Sequence, residues 1–165
     1  MRIAVSGTPG TGKTSSTEIL EKKHLIIHLN EYVKENELTE GYDEERQSYL
    51  VDLGSVNTKL PDEGIIESHV SHLLDVDRVI VLRCHPSELK NRLSGRDEEE
   101  IRENLEAEAI DKILIESLER TNDVHEIDTT NRSKKEVAEL IDEISTGAVQ
   151  KEPGQVDWSG WLLGE

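Results

Sequence analysis

The sequence predicts an α/β fold of three layers, with a five-stranded parallel sheet and helices on both faces. Three observations carry that prediction. Short apolar runs alternate with helix-periodic segments along most of the chain. Gly7-Thr8-Pro9-Gly10-Thr11-Gly12-Lys13-Thr14, a complete G-x-x-x-x-G-K-[ST] loop, stands between the first strand-like and the first helix-like stretch. Finally, 165 residues with 34% hydrophobic content suit one domain, and with three Tyr, two Trp and no Phe its core must be aliphatic.

The elements follow in order. Arg2–Ser6 reads as a buried strand feeding the loop, and Ser15–Lys23 as a helix with Ile19 and Leu20 on one face. Leu25–Leu29 is a second strand, followed by a helical stretch at Asn30–Asn36. The third strand, Ile65–Ser68, begins after the turn-like Pro61-Asp62-Glu63-Gly64. Val79–Arg83 is almost continuously apolar, as a strand covered on both faces must be. Helices are expected at Pro86–Leu93 and, as one long element, from about Asp97 to Glu119. Val124–Asp128 is the fifth strand and Val137–Ile144 the last helix, opened by a capping box of Ser133 and Glu136. Beyond Ser145 the chain is polar and holds both tryptophans. Trp158, Trp161 and Leu162 share a face in a helical turn that either straps back onto the core or docks a partner.

The loop calls for a nucleoside triphosphate, which makes the expected three-layer architecture that of a P-loop NTPase. Its glycines let backbone N–H groups curl around phosphates without a Cβ in the way. Gly10, Thr11, Gly12, Lys13, Thr14 and Ser15 are the expected ATP-binding residues. Lys13, read as a surface group of the empty loop, would reach the β/γ-phosphates, and Thr14 would hold Mg²⁺. A carboxylate at a nearby strand end should hold a Mg²⁺-bound water, and Glu67 is best placed, against the plainer reading of a solvated strand-end glutamate. His69, two residues on, either orients a water or the transferred phosphoryl group or is structural, while His72 is read as structural. Arg96, after the helix-breaking Gly95, can serve as a lid arginine for the transition-state charge or simply pair with Glu98–Glu100. Arg92 is a weaker candidate of the same kind. In the polar stretch 28–51, Lys34 or Arg46 could meet a monophosphate. Asp128-Thr129-Thr130-Asn131 reads as the adenine side of the pocket or as a capped strand-end turn.

Charge and cysteine content bound the setting. Nineteen Lys+Arg against 36 Asp+Glu give a net charge of −17, which disfavours non-specific nucleic-acid contact and steers basic protein partners toward the surface. A well-solvated surface suited to high salt accounts for the same charge. Cys84 is the single cysteine, so no intrachain disulfide is possible, and a reducing cytoplasmic setting is expected with Cys84 packing at a strand end. No membrane span and no signal peptide are expected.

Four segments together resemble a known family: Gly7–Thr14, Gly41-Tyr42-Asp43-Glu44-Glu45, Arg102-Glu103-Asn104-Leu105-Glu106-Ala107-Glu108, and Ile127-Asp128-Thr129-Thr130-Asn131-Arg132-Ser133. They look like the adenylate kinase-like ribosome-assembly ATPases in their archaeal branch, over residues 1 to about 145, and the tail 146–165 resembles an archaeal extension. The resemblance implies a nucleoside monophosphate kinase fold with a monophosphate-binding region near 28–51 and a short lid near 95–105. It implies ATP and AMP as substrates, Mg²⁺, ATPase activity, and a small-subunit ribosomal protein of the platform as partner during late maturation of the pre-ribosomal particle. The rival readings are a purely metabolic nucleotide kinase and a nucleotide-dependent chaperone with little catalysis. Three departures stand out: Glu67-Ser68-His69 where eukaryotic relatives carry Asp-x-His, Lys34 where an arginine often clamps the monophosphate, and a lid about two residues shorter around Asp97.

Overall fold

The computed structural model describes residues 1–43 and 48–164. Its centre is a parallel sheet of five strands: β1 (Arg2–Gly7), β2 (Ile26–His28), β5 (Gly64–Glu67), β6 (Arg78–Arg83) and β7 (Val124–Asp128). The strands lie in the order β2-β5-β1-β6-β7, with Val5 opposite Glu67 and Ile80, and His28 opposite Glu67. All five are the strands expected from the apolar runs.

Alternation along these strands sends apolar residues to both faces, so helices must cover both. On one face Ile3, Val5, Ile65, Ile80 and Leu82 pack with Leu20 and with Val137, Ala138, Ile141 and Ile144 of α7 (Lys134–Ser145). Ile141 is fully buried there, a burial that contributes about 1.5–3 kcal/mol. On the other face Ala4, Val79 and Val81 meet Leu114 of α6 (Lys112–Arg120), and Ile66 and Ile27 meet Val33 of α2 (Leu29–Glu35) and Val56 of α3 (Leu53–Lys59). The Ser133–Glu136 capping box is present, each side chain bonded to the other residue's backbone N–H.

Three features differ from expectation. The long helix is two, α5 (Glu98–Ala109) and α6, because Asp111 takes a left-handed conformation at φ 59° that no α-helix continues through. The polar stretch after α2 folds in part into an antiparallel pair, β3 (Thr39–Asp43) with β4 (Ser48–Val51). The helix α3 arises in a segment with little apolar periodicity, capped by Asp52 accepting from Gly54 N–H at 3.0 Å.

The sheet order creates a switch point at β1. The chain runs outward from β1 to β2, returns through β5, and only then builds β6 and β7 on the other side. Open α/β sheets hold ligands beyond the strand C-termini at such a point.

Candidate active site

At the switch point the Gly7–Thr14 loop leaves β1 and enters α1 (Lys13–Ile19). The loop is packed tightly beneath Gly7 and Gly10. A Cβ on Gly7 would sit 2.7 Å from Leu82 O and from Thr11 Oγ1. One on Gly10, whose φ is +93°, would press on Leu89 and Leu93 of α4 (Pro86–Arg92) and its end at 3.0 Å. The Thr11 hydroxyl donates to Thr8 O at 2.8 Å and fixes the loop's curl.

Lys13 corrects one expectation. It is not a surface group: only 9% exposed, it folds back and donates to Gly7 O at 2.8 Å and Thr8 O at 3.1 Å. Burial pulls its pKa from 10.5 down to about 8, with Glu67 and Glu108 opposing that shift and Arg96 adding to it. At neutral pH it is a desolvated ammonium held only by carbonyls, a group that a phosphate would satisfy better.

Thr14 donates to Glu67 Oε1 at 3.1 Å, so the loop hydroxyl and the end of β5 meet. The same oxygen lies 2.7 Å from His28 Nδ1, and His28 Nε2 lies 3.0 Å from Glu21. Burial disfavours the charged His28 ring, but hydrogen bonds to Glu21 and Glu67 outweigh it and raise its pKa. Sequence reasoning missed His28 as a partner of Glu67. The signal was available only through the sheet order, which sets the two residues in register on adjacent strands.

His69 lies at the surface of the cleft and makes no side-chain hydrogen bond among the described residues. Desolvation within the concave wall, with Lys13 nearby, lowers its pKa to about 4, so the ring is neutral at physiological pH. His72, read as structural, stands in a 3-10 turn (Ser71–Leu73). It is buried between Ser6 Oγ at 2.7 Å and Glu116 Oε1 at 3.1 Å.

Arg96 reaches the cleft rim, 46% exposed, and pairs with Glu100 at 3.1 Å. Arg92 is more deeply placed than its neighbour. It donates to Gly10 O at 3.4 Å and to Thr129 Oγ1 and O at 3.1 and 2.9 Å, tying the loop to the end of β7. From α2 it is Asn30 that lines the cleft, while Lys34 is exposed one turn further on, and Arg46 lies outside the described residues. Cys84 is fully buried, and burial pushes its thiol up to about 11, which suits packing and not nucleophilic chemistry.

These groups surround one open cleft of about 1810 Å³. Among the described residues no cluster of three or more His, Cys, Asp or Glu could form a protein-only metal cage. The pair of Thr14 hydroxyl and Glu67 carboxylate is an all-oxygen donor set, of the kind that suits Mg²⁺ sharing its shell with phosphates and water. No helix among the described residues is long and apolar enough to cross a membrane.

The tail straps back onto this structure. Lys151 O accepts from Glu126 N–H at 2.9 Å, Gly154 and Gln155 donate to Glu126 Oε1, and Trp158 donates to Glu108 at 3.2 Å while meeting His85 edge-on at 5.0 Å.

Comparison with known proteins agrees with the geometry. An AAA domain model matches residues 3–111. The chain is 46% identical to a protein of Natronomonas pharaonis described as "Putative adenylate kinase", over 98% of this chain and all of that one. Proteins of the same description from Methanosarcina acetivorans and Archaeoglobus fulgidus are each 43% identical over 96% of this chain, covering 97% and 92% of their own lengths. The fold resembles that of shikimate kinase from Bacteroides thetaiotaomicron, with a TM-score of 0.52 at 14% identity over 89% of this chain and 98% of that one. With identities above 40% over nearly its whole length and an AAA domain over most of it, the chain belongs to the family of these archaeal proteins.

Proposed function

We propose that the protein is an adenylate kinase, catalysing ATP + AMP = 2 ADP with Mg²⁺, and that it also hydrolyses ATP. The observation that carries this reading is the meeting of Lys13, Thr14 and Glu67 at the head of a cleft far larger than one small ligand needs. Typical pockets hold roughly 300–1,000 Å³, and about 1810 Å³ leaves room for a second nucleotide. The full-length identity to relatives described as adenylate kinases supports the same reaction.

In this reading the backbone N–H groups of Gly10 to Ser15 cradle the ATP phosphates, and Lys13 exchanges Gly7 O and Thr8 O for β/γ-phosphate oxygens. Thr14 and Glu67 would hold Mg²⁺ and its bound water, and that ion supplies neutralisation of the phosphate charge when bound. His28, bonded to Glu67, keeps the carboxylate oriented. Neutral His69, with no side-chain hydrogen bond among the described residues, orients the attacking oxygen or a water. Arg96 leaves Glu100 to meet the charge that spreads over the transferred group. The γ-phosphoryl group moves from ATP to a phosphate oxygen of AMP as the bond to the β-phosphate breaks and ADP leaves, and the AMP site is assigned to the 28–51 region with Lys34 and Arg46. Residues 95–105 form the lid.

The decisive measurement is ADP production with and without AMP. Stimulation by AMP, lost in Lys13→Ala, is expected; wild-type turnover in that variant would sink the assignment of the loop. The reading extends to a basic platform protein of the small ribosomal subunit, which the net charge of −17 and the family resemblance favour. Titrating that protein against the ATP-bound, ADP-bound and empty forms tests the extension, and identical affinities in all three would remove it.

A further inference from the structure

The C-terminal strap and the phosphate loop meet at one buried side chain. Glu108 of α5, 3% exposed, accepts from Thr8 Oγ1 at 3.2 Å, Arg83 Nε at 3.1 Å, Cys84 N–H at 2.9 Å and Trp158 Nε1 at 3.2 Å. Thr8 bonds one carboxylate oxygen, while Trp158 and Cys84 bond the other. A planar carboxylate so held cannot shift one oxygen without moving the second.

A second route runs through packing. Trp161 rests on the cluster of Cys84, Leu89, Leu93 and Leu105, and Leu89 and Leu93 are the side chains pressed against Gly10. Charge adds a third link. Arg83 is shared between Glu108 and Glu126, and Glu126 takes the strap's Gly154 and Gln155 N–H groups on its other oxygen. Undocking the strap would leave two buried carboxylates short of donors around one guanidinium, an arrangement buried charges do not tolerate cheaply.

We propose that Glu108 is a positioning residue for the phosphate loop and that the strap sets its position through Trp158, so that strap docking and nucleotide occupancy of the loop are coupled. The inference rests on the nucleotide-binding reading given above. By linkage, whatever factor strap docking adds to nucleotide affinity, the nucleotide adds to strap docking.

The test uses the full chain and ATP. Thr8→Val keeps the shape of the side chain and removes the donor to Glu108; Trp158→Phe keeps an aromatic ring beside His85 and removes the indole N–H. Each single variant is expected to raise the ATP Kd about fivefold. Because both act through Glu108, the double variant should also stay near about fivefold and not reach the product of about 25-fold. In Trp161→Phe, Trp158 is the single tryptophan left, and its emission should shift as ATP saturates the loop. Wild-type affinity in both single variants, a fully multiplicative double variant, or an emission indifferent to ATP each overturns the coupling while leaving nucleotide binding intact. Wild-type protein that fails to bind ATP overturns the reading of the loop, and the coupling with it.

Discussion

The two sides of the cleft are built differently. At the strand ends, Lys13 and Glu67 are buried, the more exposed Thr14 is bonded to Glu67, and each of the three is held by a hydrogen bond to the loop or to a neighbouring strand. On the rim, Arg96 is held by an exposed i,i+4 pair with Glu100, and Asp97 caps α5 with solvent-facing bonds to Glu99 and Glu100 N–H. Exposed pairs are worth at most about 1 kcal/mol, whereas buried charges deprived of a partner cost several times more. The strand-end side is therefore preorganised, and the rim is free to rearrange around a substrate at little energetic cost.

That contrast can be broken by substitution. Arg96→Ala should lower kcat by about 10³-fold if the arginine meets the transferred phosphoryl group, while leaving the melting temperature almost unchanged, since only an exposed pair is lost. A variant that melts early but turns over normally would place Arg96 among structural residues. Glu67→Gln should do the reverse in part. Its Mg²⁺-dependent turnover is expected to fall about 10–100-fold, and its thermal stability should fall too, because Thr14 and His28 both lose a charged partner. If turnover survives and only stability drops, Glu67 merely anchors the loop.

A smaller effect follows from Lys13. Its pKa in the empty loop, about 8 against 10.5, means the unfolded chain holds that proton more tightly than the native one, so this group's contribution to stability rises with pH between those two values. Bound triphosphate restores the ammonium, so ATP binding takes up a proton above pH 8. Measured without Mg²⁺, the ATP Kd should be flat below that pH and climb by about tenfold per pH unit above it. A Kd independent of pH from 7 to 9.5 would show that Lys13 keeps its carbonyl partners when ATP binds. The smallest effect belongs to the rim. Asp97→Ala should cost about 1 kcal/mol of local stability, read as faster hydrogen exchange at residues 98–101 with an unchanged core, whereas global destabilisation would show the rim to be as tightly integrated as the strand ends.

What the sequence discloses follows the same division. The phosphate loop and the five strands were legible because strands buried on both faces must be apolar throughout, as Val79–Leu82 is, and because the loop's glycines answer to steric demands that no other residue meets. The capping box at Ser133 was legible for a similar reason, being local. Pairings between distant elements were not. In the sequence Arg83 is the last residue of an apolar strand and Glu108 one of many acids in its helix, yet they are among the most deeply buried charges of the described residues. Each needs the other to be inside, and periodicity along one element cannot reveal a partner on another. The left-handed Asp111 was hidden in the same way, since only the packing of α5 against α6 requires the chain to turn there.

The place of β1 at the centre of the sheet carries a further consequence for how the molecule is made. β1 precedes both of its partners in the chain, pairing on one side with β5 and on the other with β6, so its flanks are covered only as residues 64–67 and then 78–83 are synthesised. Until then an apolar segment with two open edges must wait, and its closure joins residues far apart in sequence, which slows folding and exposes edges to wrong partners. Thus β1 is made before either of the strands that secure it. Moving the termini into the exposed turn before β5, at residues 61–63, so that β5 and β6 precede β1 in synthesis, would shorten that wait while keeping the pairing of the sheet.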